Sequence, residues 1–260
     1  MMCSSLKKTG YNVWNEVVKQ KKLSVVCFML TMICIIWNVW NAGDIWARYR
    51  LSISVADLLI ELQRPERFGI MLFPVLLFYI LKCKQDSLNL QIALRYGSRN
   101  RMFRSLLLES GIYALILSAI MVLLENMVGY YFLRDWINWN DASSKFYMDT
   151  GVVCDMHFLE IAITVWLMYC LKFLLILFLM DMLLWYQKYM ILVWITVMLV
   201  YVLDLPTLSG PSVFHKLYSI QYTYALSRTE LFLPLLIGLL LLVTEYLIGT
   251  MFIQKKDVFQ

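Results

Sequence analysis

Charge is scarce in this chain. Only 16% of its 260 residues are Asp, Glu, Lys or Arg, against roughly 25% in an average soluble domain. Hydrophobic residues make up 61%, and mean hydropathy is +0.68. The deficit excludes a soluble globular protein and a disordered chain. It also excludes nucleic-acid binding as a main role. The 23 Lys and Arg against 18 Asp and Glu leave a net charge of +5, a small excess that membrane orientation accounts for better. The chain reads as an all-α integral membrane protein, long enough for about six spans of ~20 residues.

The motifs of common chemistries are missing as well. There is no H-E-x-x-H, no G-x-S-x-G and no paired motif of aspartates within the spans. The two histidines, His157 and His215, fall in outer loops without a metal-ligand spacing partner. No catalytic residue and no metal site is therefore assigned. No G-x-x-x-x-G-K-[ST] occurs, so the chain has no P-loop of its own and binds no cofactor by one. Its six cysteines show neither C-x-x-C nor a zinc spacing. Of these only Cys154 is expected outside, so no intramolecular disulfide framework forms, and Cys154 is read as a free thiol rather than an intersubunit bridge. No internal repeat stands out, which weakens a secondary transporter built from inverted halves.

The apolar runs place the spans. The first is Leu23 to Asn41, preceded by Lys19, Lys21 and Lys22. It stays bulky to its end and no A-x-A site follows, so it reads as a retained helix and not a signal peptide. The second centres on Phe68 to Leu81, with Pro74 as an expected kink. The others run from about Leu106 to Val128, Leu159 to Leu184, Tyr189 to Val202 and Leu231 to Ile253. With the N-terminus inside, fourteen Lys and Arg fall in inner segments and eight in outer loops. Both termini are thus expected to be cytoplasmic.

Two inner segments carry pattern. Residues 11 to 22 set Tyr11, Trp14, Val17 and Val18 at helical spacing beside lysines, as in a short interfacial helix or a simple topogenic anchor. Between spans two and three, Asp86 or Ser87 can cap a helix with Leu88, Ile92 and Tyr96 on one face and Leu90 and Leu94 on another. Gly97 can end it in the left-handed conformation, and Ser98 can cap the helix that continues into span three. Arg95, Arg99, Arg101 and Arg104 ring that entry. Positive-inside topology explains part of this charge. It leaves unexplained a capped helix with an apolar face, which fits a docking site for a soluble partner.

This layout resembles a permease subunit of the ABC-2 type of ABC transporter. The run Arg95-Tyr96-Gly97-Ser98-Arg99 followed by Arg101-Met102-Phe103 is similar to the inner loop of small Gram-positive permeases that export, or protect against, antimicrobial peptides. The resemblance implies one transmembrane domain over 1–260: a six-helix bundle with an interfacial N-terminal helix (1–22), a coupling loop (82–104) and outer loops (129–158 and 204–230). It implies a separate P-loop ATPase that carries ATP and Mg and docks on Asp86, Leu88, Ile92, Leu94, Arg95, Arg99 and Arg101. It further implies a second permease copy or paralogue, contact with membrane lipid, and a bacterial cytoplasmic membrane as the site of action. The cargo would be a peptide or a lipid-like amphiphile. A stand-alone immunity or sensor protein that holds a peptide on its outer loops is the alternative, and a membrane enzyme with an unrecognised site is a further rival.

Outside the membrane, Val55, Leu58, Leu59 and Leu62 give an amphipathic helix over 54–63 that lies on the surface or packs on the bundle. Trp136, Trp139, Phe146 and Tyr147 suit either an interfacial aromatic belt or a lid over substrate. By the resemblance, short re-entrant helices are expected in the loop from Asp204 to Glu230. Within the spans, Lys172 and Glu245 each lie ~20 Å below the outer edge at 1.5 Å per residue. They are expected to form an interhelical ion pair, with Lys172 snorkelling inward as the bland alternative. Glu125 and Glu160 near the outer edge, and Glu109 and Asp181 near the inner one, are expected to need no special account.

Overall fold

The computed structural model describes residues 15, 18–64, 67–85, 99–186, 189–203, 222 and 228–255. Among them every regular element is helical, and an isolated bridge joins Ser52 to Ser144. The helices are α1 (Lys21–Arg48), α2 (Val55–Leu62), a π turn (Phe68–Leu72) that runs into α3 (Phe73–Gln85), α4 (Arg99–Leu133), α5 (Lys145–Thr150), α6 (Phe158–Tyr186), α7 (Met190–Leu203) and α8 (Arg228–Lys255).

Four of these are long and apolar enough to cross a membrane: Lys21–Asp44, Asn100–Leu133, Phe158–Trp185 and Leu231–Met251. The molecule is thus built as a multi-pass membrane protein. The other two expected spans are shorter. α7 has 14 residues, about 21 Å of helix against a hydrocarbon core of about 30 Å. The second expected span is divided between the π turn and α3.

The irregularity falls just before Pro74. Proline has no N–H to continue the ladder, and the preceding Phe73 N–H bonds back five residues, to the Phe68 carbonyl. Gly69 in this turn lies under the Tyr201 ring of α7, where a Cβ would stand 1.9 Å from Cε1. The Pro74 carbonyl accepts from Trp194 Nε1 at 3.3 Å. Pro74 therefore accompanies a register slip that brings α7 against the π turn and α3.

α4 and α6 form the most extensive helix contact. In α6, 61% of the apolar window is buried, in α4 56%, in α1 28% and in α8 11%. So α4 and α6 are the spine, and α1 and α8 turn bulky apolar side chains such as Trp37, Phe232 and Leu240 outward. At the end of the bundle expected outside, α2 is capped by Ser54 and all eight of its residues are buried. It is packed within the fold and does not lie on a surface. α5 is capped by Ser144 and ends at Gly151, whose φ of 71° is the left-handed form that glycine adopts without strain.

Candidate functional site

Buried polar groups in an apolar bundle are costly unless satisfied. Here they gather at three levels along the α4–α6 spine.

At the end expected inside, Lys84 near the last turn of α3 meets Ser110 of α4 and Asp181 of α6. Lys84 Nζ donates to Asp181 Oδ1 at 2.5 Å and to Ser110 Oγ, and Ser110 Oγ donates to Asp181 Oδ2. Lys84 and Ser110 are 0% exposed and Asp181 1%. A serine between a lysine and an aspartate is a nucleophile's constellation, but at that exposure no substrate reaches its hydroxyl in this conformation. The trio works as a clamp across three helices.

At the middle level, Glu125 Oε1 accepts from Tyr169 OH at 2.7 Å. One turn along α6 from Tyr169, Lys172 is 2% exposed and its Nζ has no hydrogen-bond partner among the described residues. It stands 4.7 Å from the centre of the Phe68 ring and 5.7 Å from that of Tyr169. The π turn supplies Phe68, so the backbone irregularity and the unbonded cation share one place. Tyr169 thus stands between Lys172 and Glu125, whose Oε2 is also buried without a donor among the described residues.

At the end expected outside, Asp57 accepts four bonds. Ser54 N and Ser54 Oγ reach Oδ2 at 2.9 and 2.8 Å, and Trp139 Nε1 and Tyr222 OH reach Oδ1 at 2.9 and 3.0 Å. Burial nonetheless dominates and holds the Asp57 carboxyl above its ordinary pKa, while these donors pull it down. Tyr222 is pushed well above the ordinary phenol value, by burial first and then by the nearby Asp57 and Glu61. Trp139 stacks on Phe146 at 4.3 Å between ring centres. Beside them Glu61 takes Lys145 Nζ and Arg64 (2.8 Å), with Arg67 at 3.7 Å. Lys145 also faces Asp149 at 3.5 Å and the Tyr222 ring at 4.9 Å.

Several expectations change. Lys172 and Glu245 do not meet. Their depths were matched by counting from each helix start, but Gly238 of α8 is the residue that packs on Leu171. Glu245 therefore lies about 10 Å further along, two turns past Lys172, near the cluster of Phe103, Phe178 and Tyr246. Glu125 and Asp181, expected to need no special account, are each 1% exposed or less and hydrogen-bonded. Trp139 (1% exposed) and Phe146 (0%) are core, whereas Trp136 (42%) and Tyr147 (38%) keep the exposure of a belt.

Of the expected docking residues, Asp86, Leu88, Ile92, Leu94 and Arg95 lie outside the described residues, as do residues 1–14 and 16–17 of the expected interfacial helix 1–22 and residues 204–221 and 223–227 of the expected loop 204–230. Arg99 is the first residue of α4, and Arg101 is exposed in its first turn. Sequence reasoning missed Lys84, Ser110, Asp181, Glu125, Tyr169 and Asp57. The available signals were Ser54 followed three residues later by Asp57 as a capping box, and carboxylates set among apolar residues in spans. No family model, curated protein or solved structure matches the chain.

Proposed function

We propose that this chain is the permease subunit of an ATP-driven exporter of the ABC-2 kind, with six spans and both termini cytoplasmic. It moves a peptide or a lipid-like amphiphile outward. A separate P-loop ATPase docks on the segment from Asp86 to Arg101, and a second permease subunit completes the pathway. The 11% burial of α8 leaves a large apolar face free for that subunit or for lipid.

The observation that supports this most is the Lys84–Ser110–Asp181 clamp. α3 enters the docking segment just past Lys84, and α4 leaves it at Arg99 and carries Ser110. A push on the segment therefore reaches α3, α4 and α6 together and not one helix end alone. α4 then runs unbroken for 35 residues, about 52 Å, to the Asp57 level at the far end. Rigid elements joined by buried bonds carry such a motion as a unit.

Mild-detergent purification of the tagged protein from its native cell, with mass spectrometry of what accompanies it, tests the reading. A P-loop ATPase that is lost when Leu88 and Ile92 are both changed to Glu is the expected result. An intact complex without an ATPase would overturn it. That outcome would favour the stand-alone immunity or sensor protein, for which the exposed Trp136 and Tyr147 would be the platform.

A further inference from the structure

We infer that the protein holds an anionic phospholipid of the leaflet at the Lys21 end, its acyl chain in a groove between α1, α3 and α4 and its phosphate at Lys21 and Lys22. The inference does not rest on the exporter reading.

The groove has a volume of about 360 Å³. Its walls are single helix faces. Ser24, Val25, Phe28 and Thr31 come from α1, Leu76 and Tyr79 from α3, and Leu117 to Leu124 from α4. The lining is apolar but for a few hydroxyls. Thr31 turns its own inward to the Cys27 carbonyl at 2.8 Å, and Ser24 and Tyr79 hydrogen-bond to each other at 3.0 Å. That last pair lies at the α1 start, so polarity is concentrated at one end.

The cationic residues stand at the same end. Lys21 precedes Ser24, Val25 and Phe28 at helical spacings of three, four and seven, which puts it on the groove face. Lys21 and Lys22 are both exposed. α1 is long and apolar enough to span a membrane, so the groove opens into acyl chains and not into water. Val25 (56% exposed) and Phe28 (47%) form its outer lip. An apolar slot at acyl-chain depth, hydroxyls at its mouth and lysines one turn beyond match a chain, a glycerol backbone and a phosphate in that order. Charge complementarity selects an anionic head group over a zwitterionic one, since interfacial lysines attract anionic lipid.

The test uses the full chain in proteoliposomes with phosphatidylglycerol that carries a photoactivatable diazirine on its acyl chain. Phosphatidylcholine with the same chain is the comparison. Labelling mapped by mass spectrometry is expected to concentrate on 24–31, 76–79 and 117–124, at least fivefold above the exposed faces of α8. The anionic probe should exceed the zwitterionic one. Leu117→Trp, which fills the groove, should cut the labelling several-fold, while Leu115→Trp on the exposed face of the same helix should not. Lys21→Gln with Lys22→Gln should erase the head-group preference and keep the map. Even labelling around the bundle in the unaltered protein, or equal labelling by both lipids, would overturn the inference even if the tryptophan variants failed to fold.

Discussion

Lys84 and Lys172 are buried to the same degree, at 0% and 2% exposure, yet the fold treats them differently. Lys84 has a carboxylate and a hydroxyl as acceptors, and both acceptors are bonded to each other. Lys172 has two aromatic rings and, among the described residues, no acceptor. A paired buried charge is expensive to break, whereas an unbonded one already carries its desolvation cost. The end of the bundle at Lys84 is therefore locked, and the middle, where the helix ladder slips into a π turn, holds a buried amine with no acceptor among the described residues. Intramembrane ionisable groups of that second kind mark pathways and switches.

The largest effect that sharpens this contrast is expected at the locked level. Lys84→Met leaves Asp181 buried without its cation and should destabilise the purified protein by about 3–5 kcal/mol, read by thermal unfolding in detergent. An effect near zero would mean the clamp is not formed. At the middle level, Gly69→Ala drives a methyl into the Tyr201 ring and should cost about 1–3 kcal/mol. An unchanged unfolding midpoint would show that α7 does not press on the π turn.

A smaller effect concerns pH at the Asp57 level. Its carboxyl binds its proton more tightly in the fold than in the unfolded chain, where the pKa is about 3.9. The stability it contributes is thus full below that value and is lost as pH rises through the higher folded value. Unfolding midpoints of wild type and Asp57→Asn between acid and neutral pH should diverge, wild type losing ground as pH rises. Parallel curves would refute the burial of Asp57. The smallest effect is expected at Lys172→Met. The loss of a cation–π contact, about 2 kcal/mol, is offset by relief of desolvation, and the net change should be within about 1 kcal/mol. A loss as large as that of Lys84→Met would erase the contrast.

The sequence made the membrane class and the long helices plain because composition and run length decide them. It marked Lys172 as well, because a cation alone in the otherwise uncharged run from 161 to 180 stands out. It hid Lys84, which sits beside Lys82 at the end of a short span and looks like a topology signal. Asp181 was hidden in the same way, a few residues from the helix end. Charge near an interface reads the same whether it faces water or the neighbouring helix, and only the rotation of the helix separates the two. The supposed Lys172–Glu245 pair failed for a related reason: equal depth was inferred without the offset that Gly238 on Leu171 imposes. Ser54 and Asp57 fit a capping box, but their partners Trp139 and Tyr222 lie 82 and 165 residues from Asp57, a separation that no local pattern bridges.

The central claim is that Lys84 and Asp181 act as one buried unit that fastens α3 to the spine. A double-mutant cycle with Lys84→Met and Asp181→Leu, read by thermal unfolding of the purified protein, tests it most directly. Each single change should be strongly destabilising and the double change far milder than their sum, because two apolar side chains replace a satisfied pair. Additive losses would contradict the account.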